Sequence, residues 1–531
     1  MDPENRPRPT KRYVGVDRVD LHRIAPPWDP TLSLVAEARA DPLAGTDQRH
    51  RPTIDTEVLA TLCYEATGIT NEVDVDGRTM RFRAASCTGK LYHVDCYLVC
   101  GDLPTLEAGI YHFDPAHFAF DVVREGDFRG VLAGAAGEPD ADEPTIRENG
   151  PTTGIAKAPV TVVITSTWWR NAWKYTERTY RHAFWDGGTI LANLLAAAHG
   201  LDCRAQVVTG FADDPIATLL GVDPKQEAPL ALVPIGGEPN GSVEIGSAEV
   251  VSADTVSVKI GSASSRGVDP VDHETAPLSP NPREYPMIHE AWEASTLADA
   301  NATVEWRRAA RTLDDPGTVD SETVEAGDGE RIALDPVDHE TASGRPLHPV
   351  VVRRGSARSF TDEGPSRRAV GTILDRATRG VPGDWNDGSG DGFDFLDAYV
   401  LATGVDGVPD GTYHYHPEAD ALERLGDVDR ETKTRLALDQ QWAGRAHLNV
   451  YLLANVDRVV GALGNRGYRL AQLEAGIVLG RLYLATYAHR DLGGTGLTFY
   501  DGLVADHLAP RAAGQTPMTM YCFGRRATDA G

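Results

Sequence analysis

Three residues late in the chain have the types and spacing to hold a phosphate. Arg354, Ser356 and Arg358 fall in Val351-Val352-Arg353-Arg354-Gly355-Ser356-Ala357-Arg358-Ser359-Phe360, an R-x-S-x-R run that sets two guanidinium forks around one hydroxyl. Arginine keeps its charge and grips phosphate oxygens two at a time. A basic turn of this kind is by default a solvated loop. It gains weight because the chain is otherwise acidic, with 78 Asp plus Glu against 51 Lys plus Arg and a formal charge of −27. Only seven of those cations are lysines.

Histidines form the next candidate group. Gly109-Ile110-Tyr111-His112-Phe113-Asp114-Pro115 is echoed by Gly411-Thr412-Tyr413-His414-Tyr415-His416-Pro417. On strands of a hairpin such histidines are more often structural than metal ligands. Asp269 to Ala276 and Asp335 to Ala342 both read D-P-V-D-H-E-T-A, which reads as local duplication in a tolerant linker rather than two ion sites. No metal is expected.

These residues must be carried by a duplicated architecture. Tyr180-Arg181 recurs as Tyr468-Arg469, a shift of 468 − 180 = 288, and the same shift pairs Gly188 with Gly476, Phe211 with Phe499, Asp213 with Asp501, Pro229 with Pro517 and Gly236 with Gly524. A constant offset over that length reads as tandem duplication without gaps. Lys174-Tyr175 is not shared, since Tyr175 falls opposite Leu463 and no lysine stands beside it. Apolar spacing predicts a helix over Ile54–Ala66, strands over Leu91–Cys100, Ala158–Thr165 and Pro229–Gly236, and a long helix through Thr189–His199. A helical island is expected at 285–312.

The expected organisation is an irregular arm over 1–50, a first domain over 51–238, an acidic linker over 239–345 and a second domain over 346–531. The acidic balance argues against nucleic acid or an anionic membrane as partner. Six cysteines without metal-finger spacing and an N-terminus without an apolar core point to a reduced, cytoplasmic setting.

R-x-S-x-R-x-F heading a domain, then G-x-Y-H-Y, then Y-R-x-x-x-x-E-A-G resembles the nitroreductase-type flavoproteins. The block Trp173-Lys174-Tyr175-Thr176-Glu177-Arg178-Thr179-Tyr180-Arg181 resembles their SagB/ThcOx branch, dehydrogenases of azoline rings in modified peptides. Arg83 to Tyr92 is similar to the branch's R-x-x-P-S-A-G-x-L-Y segment, with Ser86-Cys87-Thr88 in place of Pro-Ser-Ala.

The resemblance implies an α+β fold: two tandem nitroreductase-like domains, each a mostly antiparallel sheet flanked by helices, paired as an intramolecular pseudo-dimer. It also implies FMN in the seam. Arg354, Ser356, Arg358, Arg525 and Arg526 would serve its phosphate, Ser86, Cys87 and Gly89 would lie over its ring, and Gly493, Gly494 and Thr495 would let backbone approach it. Lys174 and Tyr175 would be catalytic, Tyr175 as base or proton relay and Lys174 easing its phenolate. The substrate would be a peptide or small molecule, and a cyclodehydratase is a candidate partner. A reductase of quinones or nitro compounds and a flavin-free binding scaffold are the alternatives.

Overall fold

Gly188 and Gly476 mark where the two halves meet. They lie on the helices Thr179–Gly200 and Asn465–Ala488, whose side chains, charged ones included, are buried on nearly every face. A Cβ on Gly188 would stand 2.4 Å from the Gly476 carbonyl carbon, so only glycine permits this crossing. Tyr180 and Tyr468 stack beside it with ring planes 3° apart. Both pairs obey the 288-residue offset, so the axis relating the halves passes between them. The computed structural model describes residues 1–37, 39–40, 52–75, 77–138, 153–236, 271, 273–313, 331–338, 344–386 and 394–527.

The first half contains β1 (Arg18–Asp20), β2 (Ile69–Val75), β3 (Arg78–Arg83), β4 (Val94–Cys100), β5 (Gly109–Asp114), β6 (Ala119–Glu125), β7 (Val160–Thr167) and β8 (Glu227–Ile235). Six of these form a sheet in the order β1-β6-β5-β4-β7-β8, and β2-β3 is a separate hairpin. The second half contains β9 (Arg331–Ala333), β10 (Asp397–Ala402), β11 (Gly411–His416), β12 (Ala421–Gly426), β13 (Leu448–Ala454), β14 (Leu492–Gly496) and β15 (Thr516–Arg525). They make one sheet, ordered β14-β15-β13-β10-β11-β12-β9. Every pairing in both sheets is antiparallel. This is the α+β architecture expected, built twice. Helices keep the register too: Trp168–Tyr175 answers to Val456–Leu463, and Asp213–Leu220 to Asp501–Leu508.

Two stretches do more than connect. Within the stretch read as an irregular arm, β1 takes the open edge of β6, and Lys11 Nζ reaches Tyr97 Oη at 2.6 Å and Glu227 Oε2 at 2.7 Å. Within the linker, the expected island is the helices Pro286–Glu293 and Ala300–Arg311, and β9 extends the second sheet along β12. Asp269, Pro270 and Asp272 of the first octapeptide, and 339–342 of the second, lie outside the described residues. Among the described residues no helix is long and apolar enough to cross a membrane. All six cysteines are free thiols.

Candidate active site in the seam between the halves

Arg354 ties the halves together. It caps the helix Leu347–Arg353, and its Nε and Nη2 donate to the carbonyls of Ala84 and Arg83 at 2.9 and 3.0 Å. Its guanidinium also lies 5.3 Å from the Tyr483 ring centre. Ser356 and Arg358 follow on the exposed side of this tie. Arg358 lies over Trp442 at 4.9 Å and has no hydrogen-bond or ion-pair partner among the described residues. Lys90, which no spacing pointed to, approaches from the first half. Burial first and then Arg358 push its ammonium below the ordinary lysine value.

The other expected phosphate and ring contacts are placed differently. Arg525 turns to Asp491 at 3.2 Å and Glu363 at 3.9 Å. Arg526 Nη2 points to the Arg490 carbonyl at 3.5 Å. Gly493 and Gly494 have a packing reason. A Cβ on Gly493 would come 3.0 Å from Ala357 Cβ, and one on Gly494 2.4 Å from Tyr521 Oη. Ala357 N donates to the Gly494 carbonyl at 3.1 Å, which lays the R-x-S-x-R run along β14. Thr495 is buried with its hydroxyl on the Gly496 carbonyl. These three residues seat the basic run.

Across the seam, one buried carboxylate shapes the Ser86–Gly89 loop. Asp186 accepts from the amide and hydroxyl of Thr88 at 2.9 and 2.8 Å and from the Cys87 thiol at 3.1 Å, and lies 2.8 Å from His93 Nε2. Burial opposes its charge, but the bonds from His93 and Cys87 hold its pKa below the usual carboxylate value. Burial and Asp186 together push the Cys87 thiol well up, so it stays protonated. Ser86 accepts at its carbonyl from Thr189. Gly89 sits at φ +65°, and a Cβ there would lie 2.7 Å from Tyr175 Oη. The loop therefore presses bare backbone against that hydroxyl. Burial, then Asp186 and Cys87, push Tyr175 up to about 12, and Lys174 Nζ stands 4.9 Å over its ring. Asp186 was legible in principle, since the offset places it at Glu474 of the E-A-G run. Glu474 likewise accepts from the amides of Asp394 and Phe395.

Tyr175 opens onto a cavity of about 620 Å³ whose walls include Arg178, Phe499, Tyr500 and Asp501. Arg178 and Arg181 both pair with Asp501, at 3.2 and 2.7 Å. The equivalent cleft, one repeat on, holds Arg466 and Arg469 on Asp213 at 2.6 and 2.8 Å. There the linker fills the space. Trp306 Nε1 donates to the Leu463 carbonyl at 3.0 Å, Leu297 N to Asp213 at 3.0 Å, and Arg469 to the Trp292 carbonyl at 2.7 Å while lying 3.6 Å from that ring. One cleft is open and its twin is plugged.

Residues 51–237 match the Nitroreductase family. A Methanocaldococcus jannaschii protein described as a candidate nitroreductase is 27% identical over 190 residues, 34% of this chain and 91% of that protein. A crystal structure of a candidate nitroreductase from Anabaena variabilis is 20% identical, with a TM-score of 0.71 over 99% of this chain and 95% of that one. The E. coli microcin synthetase McbBCD complex gives a TM-score of 0.29 at 18% identity, over 37% of this chain and 72% of that one, which bears no weight. Over residues 51–237 the chain is thus similar to the nitroreductase family, and as a whole it has the nitroreductase fold.

Proposed function

We propose that the protein is an FMN-dependent oxidoreductase with one composite site, acting as a SagB/ThcOx-type dehydrogenase on azoline rings of modified peptides. The observation that carries the flavin is the basic run at the seam, where Arg354 crosses to the carbonyls of Ala84 and Arg83 and Ser356 and Arg358 stand exposed beside it. Lys90, from the other half, is lowered by burial and then by Arg358, and neither cation has an ion-pair partner among the described residues, in a chain of formal charge −27. An anion beside them would relieve the like charges. A flavin phosphate fits that donor set: two guanidinium groups, a hydroxyl and an ammonium.

FMN, when bound, supplies a hydride acceptor. Everything else falls to side chains of this chain. Arg354 keeps the Arg83–Gly89 loop docked on the basic run, and Gly89 leaves space for Tyr175 Oη. At neutral pH Tyr175 is a neutral phenol, suited to relaying a ring proton rather than standing as a phenolate. Lys174 places positive charge over its ring. The azoline assignment is supported by Tyr175 of the W-K-Y block lining the open cleft and by the absence of that block from the second repeat. A cyclodehydratase that forms such rings would be the partner, and the cytoplasm, where six thiols stay reduced, the setting.

The name of the M. jannaschii relative favours a second reading, reduction of quinones or nitro compounds. The test is to identify the chromophore released on denaturation and then assay both substrates. Bound FMN with conversion of an azoline peptide to the azole supports the proposal. Quinone reduction with an untouched azoline peptide would establish the second reading, and protein purified without flavin would overturn both.

A further inference from the structure

The first repeat carries a polar cluster that the second lacks entirely. Asn171, Tyr175, Thr179 and His182 fall opposite Val459, Leu463, Gly467 and Leu470 at the 288-residue offset. In the first repeat Asn171, Thr179 and His182 are one network, with Tyr175 against it. His182 Nδ1 lies 2.9 Å from Asn171 Oδ1, which also accepts from Thr179 Oγ1 at 3.0 Å. The Asn171 amide nitrogen in turn faces the Thr88 carbonyl at 3.5 Å, so its oxygen is the atom turned to the histidine. A carbonyl oxygen only accepts, so His182 carries its proton on Nδ1 and leaves Nε2 as a bare lone pair.

That lone pair is the anomaly. His182 is fully buried, and its Nε2 has no partner among the described residues. A buried acceptor left in this state is disfavoured unless something uses it. Its neighbour is Tyr175, whose ring centre lies 4.7 Å away with the planes at 88°. The Tyr175 hydroxyl also has no hydrogen-bond partner among the described residues. An acceptor without a donor thus stands beside a donor without an acceptor, in the one repeat whose cleft is open.

We propose that His182 is a positioning residue for Tyr175: the two side chains, in edge-to-face contact but not hydrogen-bonded in the structure, close up so that Nε2 takes the hydrogen of the Tyr175 hydroxyl and the phenolic oxygen turns its lone pair to the cavity. Asn171 and Thr179 fix the tautomer that makes this possible. Burial, the largest influence on the ring, holds His182 down to about 3 although Asp186 acts the other way, so the acceptor stays uncharged through the neutral range. The plugged repeat has no substrate to position and keeps only apolar residues at these places. This inference rests on Tyr175 handling the substrate proton.

The test has a spectroscopic arm that needs no turnover. In protein labelled with 15N-histidine, the His182 signals are identified by their loss in His182→Phe. We expect Nε2 to be unprotonated at neutral pH and its shift to move in Tyr175→Phe. A proton on Nε2, or a shift indifferent to Tyr175→Phe, overturns the proposal. In the kinetic arm, His182→Phe keeps the ring volume and should lower kcat for azoline oxidation about 10- to 100-fold. KM and flavin content should be unchanged, and His182→Gln, which restores an acceptor, should recover part of the loss. If Tyr175→Phe loses the activity while His182→Phe keeps it, the positioning role is wrong but the site is right. If neither loses it, both the proposal and the reading beneath it fall.

Discussion

Arg466 Nη1 lies 2.6 Å from Asp213 Oδ2, and the same couple one repeat earlier is Arg178 with Asp501 at 3.2 Å. The offsets agree, 466 − 178 = 288 and 501 − 213 = 288. Each couple crosses from one half to the other, so both are relics of one dimer contact. Their surroundings have diverged. Arg466 and Asp213 are 4% and 0% exposed under the linker helices, whereas Arg178 and Asp501 are 34% and 35% exposed at the open cavity.

The divergence predicts unequal costs. Asp213→Asn leaves Arg466 and Arg469 buried against a neutral group and should destabilise by about 3–5 kcal/mol. Asp501→Asn breaks a solvent-screened pair and should cost about 0–1 kcal/mol. Thermal and urea unfolding of the two variants measure this. Equal losses would mean that the plugged and open clefts do not differ as described.

The plug also predicts stoichiometry. With Trp292 and Trp306 filling the twin cleft and no R-x-S-x-R run serving it, one FMN should bind per 531-residue chain. Trp306→Ala should leave that ratio at one, because space alone supplies no phosphate ligand. Quantifying flavin after heat release against protein by amino-acid analysis gives the number, and two per chain would contradict the composite site.

Phosphate recognition should reside in Arg358 rather than Arg525. Arg358→Ala removes a charge-assisted contact worth about 1.5–3 kcal/mol, so FMN should bind about 10- to 100-fold more weakly. Riboflavin, lacking the phosphate, should be indifferent to the change. Arg525→Ala should matter little, since Asp491 and Glu363 already hold that side chain. Titration of both flavins into each variant decides it. Loss of riboflavin affinity in Arg358→Ala would point to a folding defect instead.

The parts that could be read from the sequence were those fixed by pattern. The gapless offset required two like halves, and the Ala- and Leu-rich run within Thr179–Gly200 required a long buried helix. Tyr175 and Gly89, drawn from separate motifs, do meet. What stayed hidden depends on partners distant in sequence. Residues Arg18–Asp20 have no strand period of their own and become β1 because β6 offers an edge. Lys90 is a single cation without spacing, and its role emerges only beside Arg358. The pairing of Arg525 with Asp491 and Glu363 likewise belongs to the fold and not to its motif. The linker's helices were visible, but not that Trp292 and Trp306 would cover the twin cleft.

Acid should weaken the fold through buried histidines. Burial holds His182 down to about 3 and His199 to about 4, while an unfolded imidazole titrates near about 6.5. Between those values the unfolded chain binds more protons than the folded one, so stability rises with pH and is lost as pH falls below about 6.5. Each such group contributes up to about 1.4 kcal/mol per pH unit in that window. His199→Phe should therefore flatten the dependence of unfolding free energy on pH between about 6 and 4. An unchanged slope would show that His199 is not buried neutral.

The last prediction separates chemistry from cofactor binding. Tyr175→Phe removes the hydroxyl pressed against Gly89 but keeps the ring that lines the cavity. Lys174→Met removes the ammonium over that ring and keeps most of the stem. Neither touches Lys90, Arg354 or Arg358, so both variants should fold, hold FMN and be reduced by dithionite. If the pair handles the substrate proton, Tyr175→Phe should slow azoline oxidation about 100- to 10,000-fold. Lys174→Met should slow it less, since the charge acts on Tyr175 through the exposed face of the ring, where water screens it. A reductase of small acceptors needs no such proton relay, and there both variants would reduce a quinone at the parental rate while no form converted an azoline peptide. A block that is only packing would leave azoline oxidation intact in Tyr175→Phe, and that result would remove Tyr175 from the chemistry. Running both assays on both variants at several pH values closes the question. A rate controlled by Tyr175 as a neutral relay should stay flat through the neutral range and change only toward its titration at about 12.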